Sequence, residues 1–482
     1  MKDRDNIITV FVSGHFNVLH PGHLRLLRFA KESGDRLIVA VESDRVAGNA
    51  AHVLEKFRVE GVKCNSWVDE TILLDESLGD LLVRLQPDIV VKGIEHQSKF
   101  NLEQKVVDSY GGKLKFSSGE VTFSSLDLLH KEFYQSTMDD ITLPIEFMSR
   151  HDISRERLKN IIDDFSSLSV CVVGDLIIDE YITCDPLGMS QEDPTIVVTP
   201  VDTRRFIGGA AIVAAHAVGL GAKVKFISIV GNDDAYTYAE DKLSEFGVVA
   251  SLILDDDRPT TVKQRFRSKG KTLLRVSHLH QAAISPSLQK CILNNIKSMI
   301  NNIDLVVFSD FNYGCLPQDL VDEISALAKK YNVMLVADSQ SSSQTGDISR
   351  FNGMKLITPT EREARISTRN SEDGLIVLAE QLRQQSSAEN ILLKIGDEGV
   401  LIHANDSNDD DSWLTDRISA LNSTPRDVAG AGDSLLISSA LTIATGGSIW
   451  EATLIGSLAA AIQVGRVGNT PLQSKEILGE LE

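Results

Sequence analysis

Short apolar runs recur along this chain and are separated by longer segments in which apolar residues return every three or four positions. In the first part, Ile7 to Val12, Leu37 to Val41, Ile89 to Val91 and Leu114 to Phe116 read as strands, and Leu24 to Lys31 as an amphipathic helix. A second series opens at Val170 and continues through Lys223 to Val230, Leu305 to Phe308, Val333 to Ala337, Lys355 to Ile357 and Ile391 to Leu393. Strand and helix alternating in this way is the rhythm of a parallel sheet with helical crossovers. Between the series, Tyr134 to Leu168 lacks strand periodicity, and Ser154-Arg155-Glu156-Arg157 starts a helix ending near Phe165. The pattern predicts two α/β domains, each a mainly parallel sheet flanked by helices, over residues 1–135 and 168–482, with a helical linker over 136–167.

Composition narrows the function classes. A length of 482 residues exceeds one ordinary core, and 42% apolar with 24% charged residues is a globular balance. The formal net charge of −20, from 68 acidic and 48 basic residues, repels a phosphate backbone and argues against nucleic acid as a partner. No apolar run approaches the roughly 18 residues of a membrane helix, and Met1-Lys2-Asp3-Arg4-Asp5 leads into a strand rather than a signal core, so a cytoplasmic protein without membrane contact is expected. The five cysteines lack ligand spacing and read as reduced thiols, Cys171 as core.

Two strings carry chemistry. The first, Val10-Phe11-Val12-Ser13-Gly14-His15-Phe16-Asn17-Val18-Leu19-His20-Pro21-Gly22-His23, runs from a strand into a helix whose N-terminal N–H groups suit a triphosphate. His20 and His23, three residues apart, share one face of the helix start and can donate to phosphate oxygens as an oxygen attacks the α-phosphorus. A capped helix with two surface histidines is the plain alternative. The second, Asp427-Val428-Ala429-Gly430-Ala431-Gly432-Asp433-Ser434, precedes an apolar helix. Gly430, Ala431 and Gly432 let backbone N–H groups converge as an anion hole, and Asp433 can accept the proton of an attacking hydroxyl. A glycine-rich turn is the alternative there. Gly208-Gly209 opens another helix and lets a sugar lie against bare backbone, unless it marks only a close helix-sheet contact.

From Ile7 to Leu129 the chain resembles the cytidylyltransferase-like nucleotidyltransferases, more closely the adenylyltransferase half of the bifunctional heptose-phosphate enzymes, in the string above, in Gly34 to Asp44, in Arg58 through Asp69, in Pro87 to Gly93 and in Val121 to Ser125. That resemblance implies a Rossmann-like fold, His20 and His23 as the catalytic pair, Gly14, His15, Lys92 and Gly93 lining the nucleotide site, and Ser124 and Ser125 at phosphate, with Arg58 a further candidate. Asn17 stands where the family usually has an acid, and the basic loop after Asp44 is shortened to Arg45 through His52.

From Val170 to Leu478 the chain resembles the ribokinase-like (PfkB) sugar kinases, most closely the kinase half of the same heptose enzymes, in both glycine strings, in Val173 to Tyr181, in Ser309-Asp310-Phe311 and in Ala337-Asp338. This implies Asp433 as base; Asp175, Asp179, Gly208, Gly209 and Asp310 at the sugar; Lys394 and Gly396 at ATP; and Glu363 near Mg²⁺. Ile212 and Thr360 replace the family's asparagines, and Tyr313 and Gln340 stand where heptose kinases carry lysines. The domain order is also the reverse of those enzymes. The expected function is bifunctional synthesis of an ADP-heptose-like nucleotide sugar for a surface polysaccharide, with sugar phosphate and nucleotide substrates, ATP and Mg²⁺, in a protein that forms a homodimer. A CTP-using fusion on another sugar or polyol phosphate, and a non-catalytic nucleotide- or sugar-binding regulator, are the alternatives.

Overall fold

The computed structural model describes residues 7–17, 19, 21–48, 51, 53–93, 102–117, 141–268, 271–340, 346–405 and 413–482. The chain divides into two compact units, Met1–Met138 with Asn370–Gln381, and Asp139–Arg369 with Leu382–Glu482.

In the first unit, strands β1 (Thr9–Gly14), β2 (Arg36–Glu42), β3 (Glu70–Leu74), β4 (Ile89–Gly93) and β5 (Lys113–Ser117) pair in the order β3-β2-β1-β4-β5, all parallel. Because successive side chains alternate, Val10 and Val12 pack with Val39, Val41 and Val91 on one face, while Phe11, Ile38, Ala40 and Val90 pack on the other. Chain order reverses between β1 and β4, so the crevice beyond their C-terminal ends is the switch point at which such sheets bind ligands. β3 was not among the expected strands; its residues are mostly half-exposed, which hides the apolar signature.

The second unit carries a nine-stranded sheet. It comprises β6 (Ser169–Gly174), β9 (Lys223–Val230), β10 (Val249–Leu254), β13 (Leu305–Asp310), β14 (Met334–Ser339), β15 (Leu356–Ile357), β16 (Asn390–Lys394), β17 (Val400–Asn405) and β18 (Trp413–Ile418), in the order β10-β9-β6-β13-β14-β15-β16-β17-β18. The pairs from β10 to β16 are parallel, and β17 and β18 close the edge antiparallel. Two small-residue helices, Ala210–Gly219 and Ala431–Ala444, are almost wholly buried against this sheet. The short helices Ile145–Arg150 and Arg155–Asp164 fall in the segment expected as a linker, yet Phe147, Leu158, Ile161 and Phe165 are buried in the core of this unit.

A separate four-stranded sheet, β7 (Leu176–Met189), β8 (Ile196–Gly209), β11 (Thr261–Ser268) and β12 (Lys271–His278), pairs in the order β12-β11-β7-β8. β7 begins directly after the C-terminal end of β6, an interior strand of the nine-stranded sheet, and β8 returns the chain to Gly208-Gly209 at the start of helix Ala210–Gly219. Among the described residues, no helix is long and apolar enough to cross a membrane.

Candidate active site

The residues singled out in the second unit gather where β6, β13, β14 and β16 end. Helix Ala431–Ala444 starts at Gly430, whose φ of +78° lies in the left-handed region open to glycine. A Cβ at Gly430 would collide with Oδ1 of Asn469, and one at Gly432 would lie 3.1 Å from Nζ of Lys394. Glycine is therefore favoured at Gly430 by both its backbone and its surroundings, a side chain at Gly432 would crowd Lys394, and the helix start offers its unpaired first-turn N–H groups beside them.

Asp433 sits in that first turn with 6% of its surface exposed. Burial, reinforced by the neighbouring Asp338 carboxylate, pushes its pKa up to about 7, against the opposing pull of Lys394. Gln340 donates from Nε2 to Asp433 Oδ1 at 3.2 Å. Lys394, at the end of β16, places Nζ 3.1 and 3.0 Å from the two oxygens of Asp338 at the end of β14. Burial lifts Asp338 to about 6 even with that ammonium beside it. Glu363 closes a capping box with Thr360: its Oε2 accepts the Thr360 N–H at 2.7 Å, while the Thr360 hydroxyl accepts the Glu363 N–H at 3.2 Å. The substitution of asparagine by threonine thus keeps the helix start intact.

The remaining carboxylates occupy the opposite flank. Asp175 accepts three backbone N–H groups, from Phe311 (2.8 Å), Tyr313 (3.3 Å) and Cys315 (3.2 Å), and so fixes the loop after β13. Asp310 is held by Arg350 at 2.8 Å and by the Ser339 hydroxyl at 2.8 Å. Asp179 forms an ion pair with Arg265 from β11. A Cβ at Gly208 would collide with Asp179 Oδ2, which is why this turn is glycine. Gly396 also has positive φ (+66°) and opens the short turn after Lys394.

Three contributors to this site escaped the sequence reading. Asn469, 7% exposed, directs Nδ2 toward Asp179 Oδ2 at 3.5 Å, and its Oδ1 has no hydrogen-bond partner in the structure. Gln463, fully buried, donates from Nε2 to the carbonyls of Ala429 (3.3 Å) and Gly468 (3.1 Å), tying the turn before Gly430 to the C-terminal segment. Arg265 reaches Asp179 from a strand that lacks a continuous apolar run. Two buried amides around one glycine-rich turn have no local sequence signature, because they become neighbours only through the fold.

In the first unit, Gly14 ends β1 with His15 directly after it, and Lys92 and Gly93 end the adjacent β4. His15 Nδ1 lies 2.9 Å from Glu42 Oε2, and His23 packs its ring 5.1 Å from that of Phe16. Lys92 pairs with Glu103 at 2.9 Å. His20, Ser124 and Ser125 lie outside the described residues. Arg58 is enclosed: it donates to the carbonyls of Val53, His15 and Glu42, each at 2.7 Å, and to Asp44 at 2.6 Å. It ties together the loops around the crevice. Arg45 is likewise engaged by Asp75.

Comparison with known proteins agrees with this geometry. Residues 11–138 match the cytidylyltransferase-like family model, and residues 167–475 match the model of the pfkB family carbohydrate kinases. The chain is 28% identical over 316 residues to the Bifunctional protein HldE of Helicobacter hepaticus, covering 65% of this chain and 63% of that one. It is 30% identical over 322 residues to the protein of the same name from Desulfatibacillum aliphaticivorans, covering 66% and 64%. The chain spans just under two thirds of the length of these curated relatives. Among solved structures, Escherichia coli phosphofructokinase-2 superposes with a TM-score of 0.53 at 15% identity, covering 65% of this chain and 98% of that one. Thermotoga maritima ribokinase does so with 0.51 at 20%, covering 65% and 99%. At such identities the likeness concerns the fold. With the kinase model matching well over half its length, the chain belongs to the pfkB family of carbohydrate kinases, preceded by a cytidylyltransferase-like region.

Proposed function

We propose that the second unit transfers the terminal phosphoryl group of ATP to a sugar hydroxyl, and that the first unit joins a nucleoside monophosphate to the resulting sugar phosphate with release of pyrophosphate. The observation that carries this reading is Asp433: a buried carboxylate at a helix N-terminus, with its pKa near the working pH, beside a glycine turn and a buried lysine. Asp433 takes the proton of the attacking hydroxyl as the oxygen bonds to the γ-phosphorus and the β,γ-bridging bond breaks. The first-turn N–H groups and Lys394 stabilise charge on the moving phosphoryl group.

Among the described residues, no three His, Cys, Asp or Glu groups gather to hold a metal ion. Mg²⁺ would therefore ride mainly on the nucleotide phosphates, with water and at most a carboxylate such as Glu363 completing its shell, as is usual for this cation. The proposed product is a nucleotide-activated sugar of the ADP-heptose kind, formed by phosphorylation at the anomeric hydroxyl in the cytoplasm.

A second reading concerns the first unit alone. Arg58, Arg45 and Lys92 are each engaged by carboxylates of the same unit. This favours a first unit that holds nucleotide through the helix start and turns over slowly. Asp433→Asn decides the kinase reading: phosphoryl transfer should fall by about 10²–10⁴-fold with the KM for sugar little changed. Transfer at the wild-type rate in that variant would overturn the reading.

A further inference from the structure

The glycine turn that opens helix Ala431–Ala444 is fastened through Ala429 and Gly468, each held at both of its backbone polar groups. Asp427 takes their N–H groups: Oδ1 accepts from Ala429 at 3.2 Å, and Oδ2 accepts from Gly468 at 3.1 Å. Gln463 takes their carbonyls: Nε2 donates to Ala429 at 3.3 Å and to Gly468 at 3.1 Å. A carboxylate offers only acceptors and an amide nitrogen only donors, so the two side chains are complementary halves of one clamp. Tyr181 of β7 adds its hydroxyl to Asp427 Oδ2 at 2.9 Å. Next to Gln463, the carbonyl of Val464 accepts the N–H groups of Arg426 and Asp427 at 2.8 and 3.2 Å.

Gln463 lies near the end of helix Ile449–Val464 and is fully buried. Its surroundings fix which way the amide points, because with nitrogen and oxygen exchanged Oε1 would face two carbonyl oxygens. In the orientation that results, Oε1 has no hydrogen-bond partner among the described residues. A buried polar atom left in that state is destabilising and calls for a reason. The reason is the carbonyl pair: two oxygens brought toward one point in the interior repel each other unless a donor stands between them. Nε2 also lies 3.4 Å from where a Cβ of Gly430 would stand, so the amide packs against the turn itself. Gly430, Ala431 and Gly432 follow Ala429 directly, and a rotation of the Ala429 peptide re-aims the N–H groups that come after it.

We propose that Gln463 is a positioning residue for phosphoryl transfer: its amide donors keep the Ala429 and Gly468 carbonyls together and so hold the N–H groups of Gly430 to Gly432 on the moving phosphoryl group. This rests on the kinase reading of the same site. Gln463 spends its bonds on the turn and not on the Asp179 flank that this reading gives to the sugar. Its loss therefore acts on the transition state more than on sugar binding.

The test is kinetics of the full chain and of Gln463→Ala, with ammonium or tetramethylammonium chloride at equal ionic strength. Gln463→Ala should lower kcat at least about tenfold and leave the KM for sugar within about twofold of the wild type. Ammonium, a small donor able to sit between two carbonyls, should restore most of that loss, tetramethylammonium should not, and the wild type should respond to neither. Gln463→Leu, which fills the space without donors, should show the same split of kcat from KM with no rescue, and it decides the matter if Gln463→Ala does not fold. Unchanged kcat in the folded variants, a loss in Gln463→Ala that ammonium leaves in place, or a wild type that requires ammonium would overturn the proposal. Hydrogen exchange of the peptide from Asp427 to Asp433 needs no turnover: it should quicken in Gln463→Ala and slow again with ammonium. That pattern in a wild type and variant that transfer no phosphoryl group would sink the kinase reading while the hold on the turn stands. Unaltered exchange beside active phosphoryl transfer would sink the clamp alone.

Discussion

Lys394 and Asp338 form a buried ion pair, Nζ lying 3.1 and 3.0 Å from the two carboxylate oxygens, directly under Gly432. Two strand ends and the helix start that holds Asp433 are thereby joined at one point. Removing the lysine leaves a carboxylate buried without its partner, a loss of about 3–5 kcal/mol in comparable cases. The pKa of Asp338 is already raised to about 6 from 3.8, so the stability linked to its neutral form is full below about pH 4 and is lost as pH rises through 6. Lys394→Met should therefore lower the melting temperature more at pH 8 than at pH 5, and should raise the KM for ATP. Equal penalties at both pH values would contradict the placement of this pair.

Asp433 yields a prediction in pH. With its pKa pushed up to about 7, the carboxylate ionises across the neutral range, so phosphoryl transfer should rise from pH 6 to 8 with an apparent midpoint near 7. Stability moves the other way: a raised pKa means that the folded state loses stability as pH climbs through 7. Asp433→Asn should be close to neutral for stability at pH 5 and stabilising at pH 8, while abolishing the pH-dependent rate. Thermal melts at the two pH values, with a rate profile, check both signs.

The first unit depends on Arg58 for its architecture. Its guanidinium satisfies three backbone carbonyls and Asp44, and the side chain is fully enclosed. Arg58→Ala would strand those acceptors and should cost about 3 kcal/mol or more. Arg58→Lys should not rescue, since one ammonium cannot span four acceptors in a planar fork. Chemical denaturation should show the transition of this unit moving to lower denaturant, with phosphoryl transfer by the second unit retained.

Gly430 and Asn469 should be coupled. Gly430→Ala places a methyl group into Asn469 Oδ1 at a backbone position of +78°, so kcat for phosphoryl transfer should drop about tenfold or more. Adding Asn469→Ala removes the collision but not the backbone strain, and should restore part of the loss. A double-mutant cycle with no interaction energy would show that Asn469 does not bear on this turn.

The sequence was most informative where burial is complete. β6, β9, β13 and β16 each bury most of their residues, so strongly apolar runs announced them, and Lys223–Val230 was located to the residue. The four-stranded sheet was missed for the converse reason. Most of β8 and β12 is exposed, and Asp179, Glu180, Arg265 and Arg267 interrupt any apolar alternation. The site divides along the same line. Gly430, Gly432 and Asp433 form one contiguous string and could be read directly, whereas Arg265, Gln463 and Asn469 meet that string only through long-range packing. Arg58 was legible as a position of interest, but its burial and its four partners could not be read from the sequence, because most of them come from loops distant along the chain.

The most direct test of the central claim is mass spectrometry of the products formed when the purified chain is incubated with Mg²⁺, ATP, CTP and a panel of neutral sugars, sugar phosphates and hexuronates. The account predicts a phosphorylated sugar that is converted further into a nucleotide sugar, with the added mass naming the base, and loss of both products in Asp433→Asn. A panel that yields neither product, or products unchanged in that variant, would contradict it.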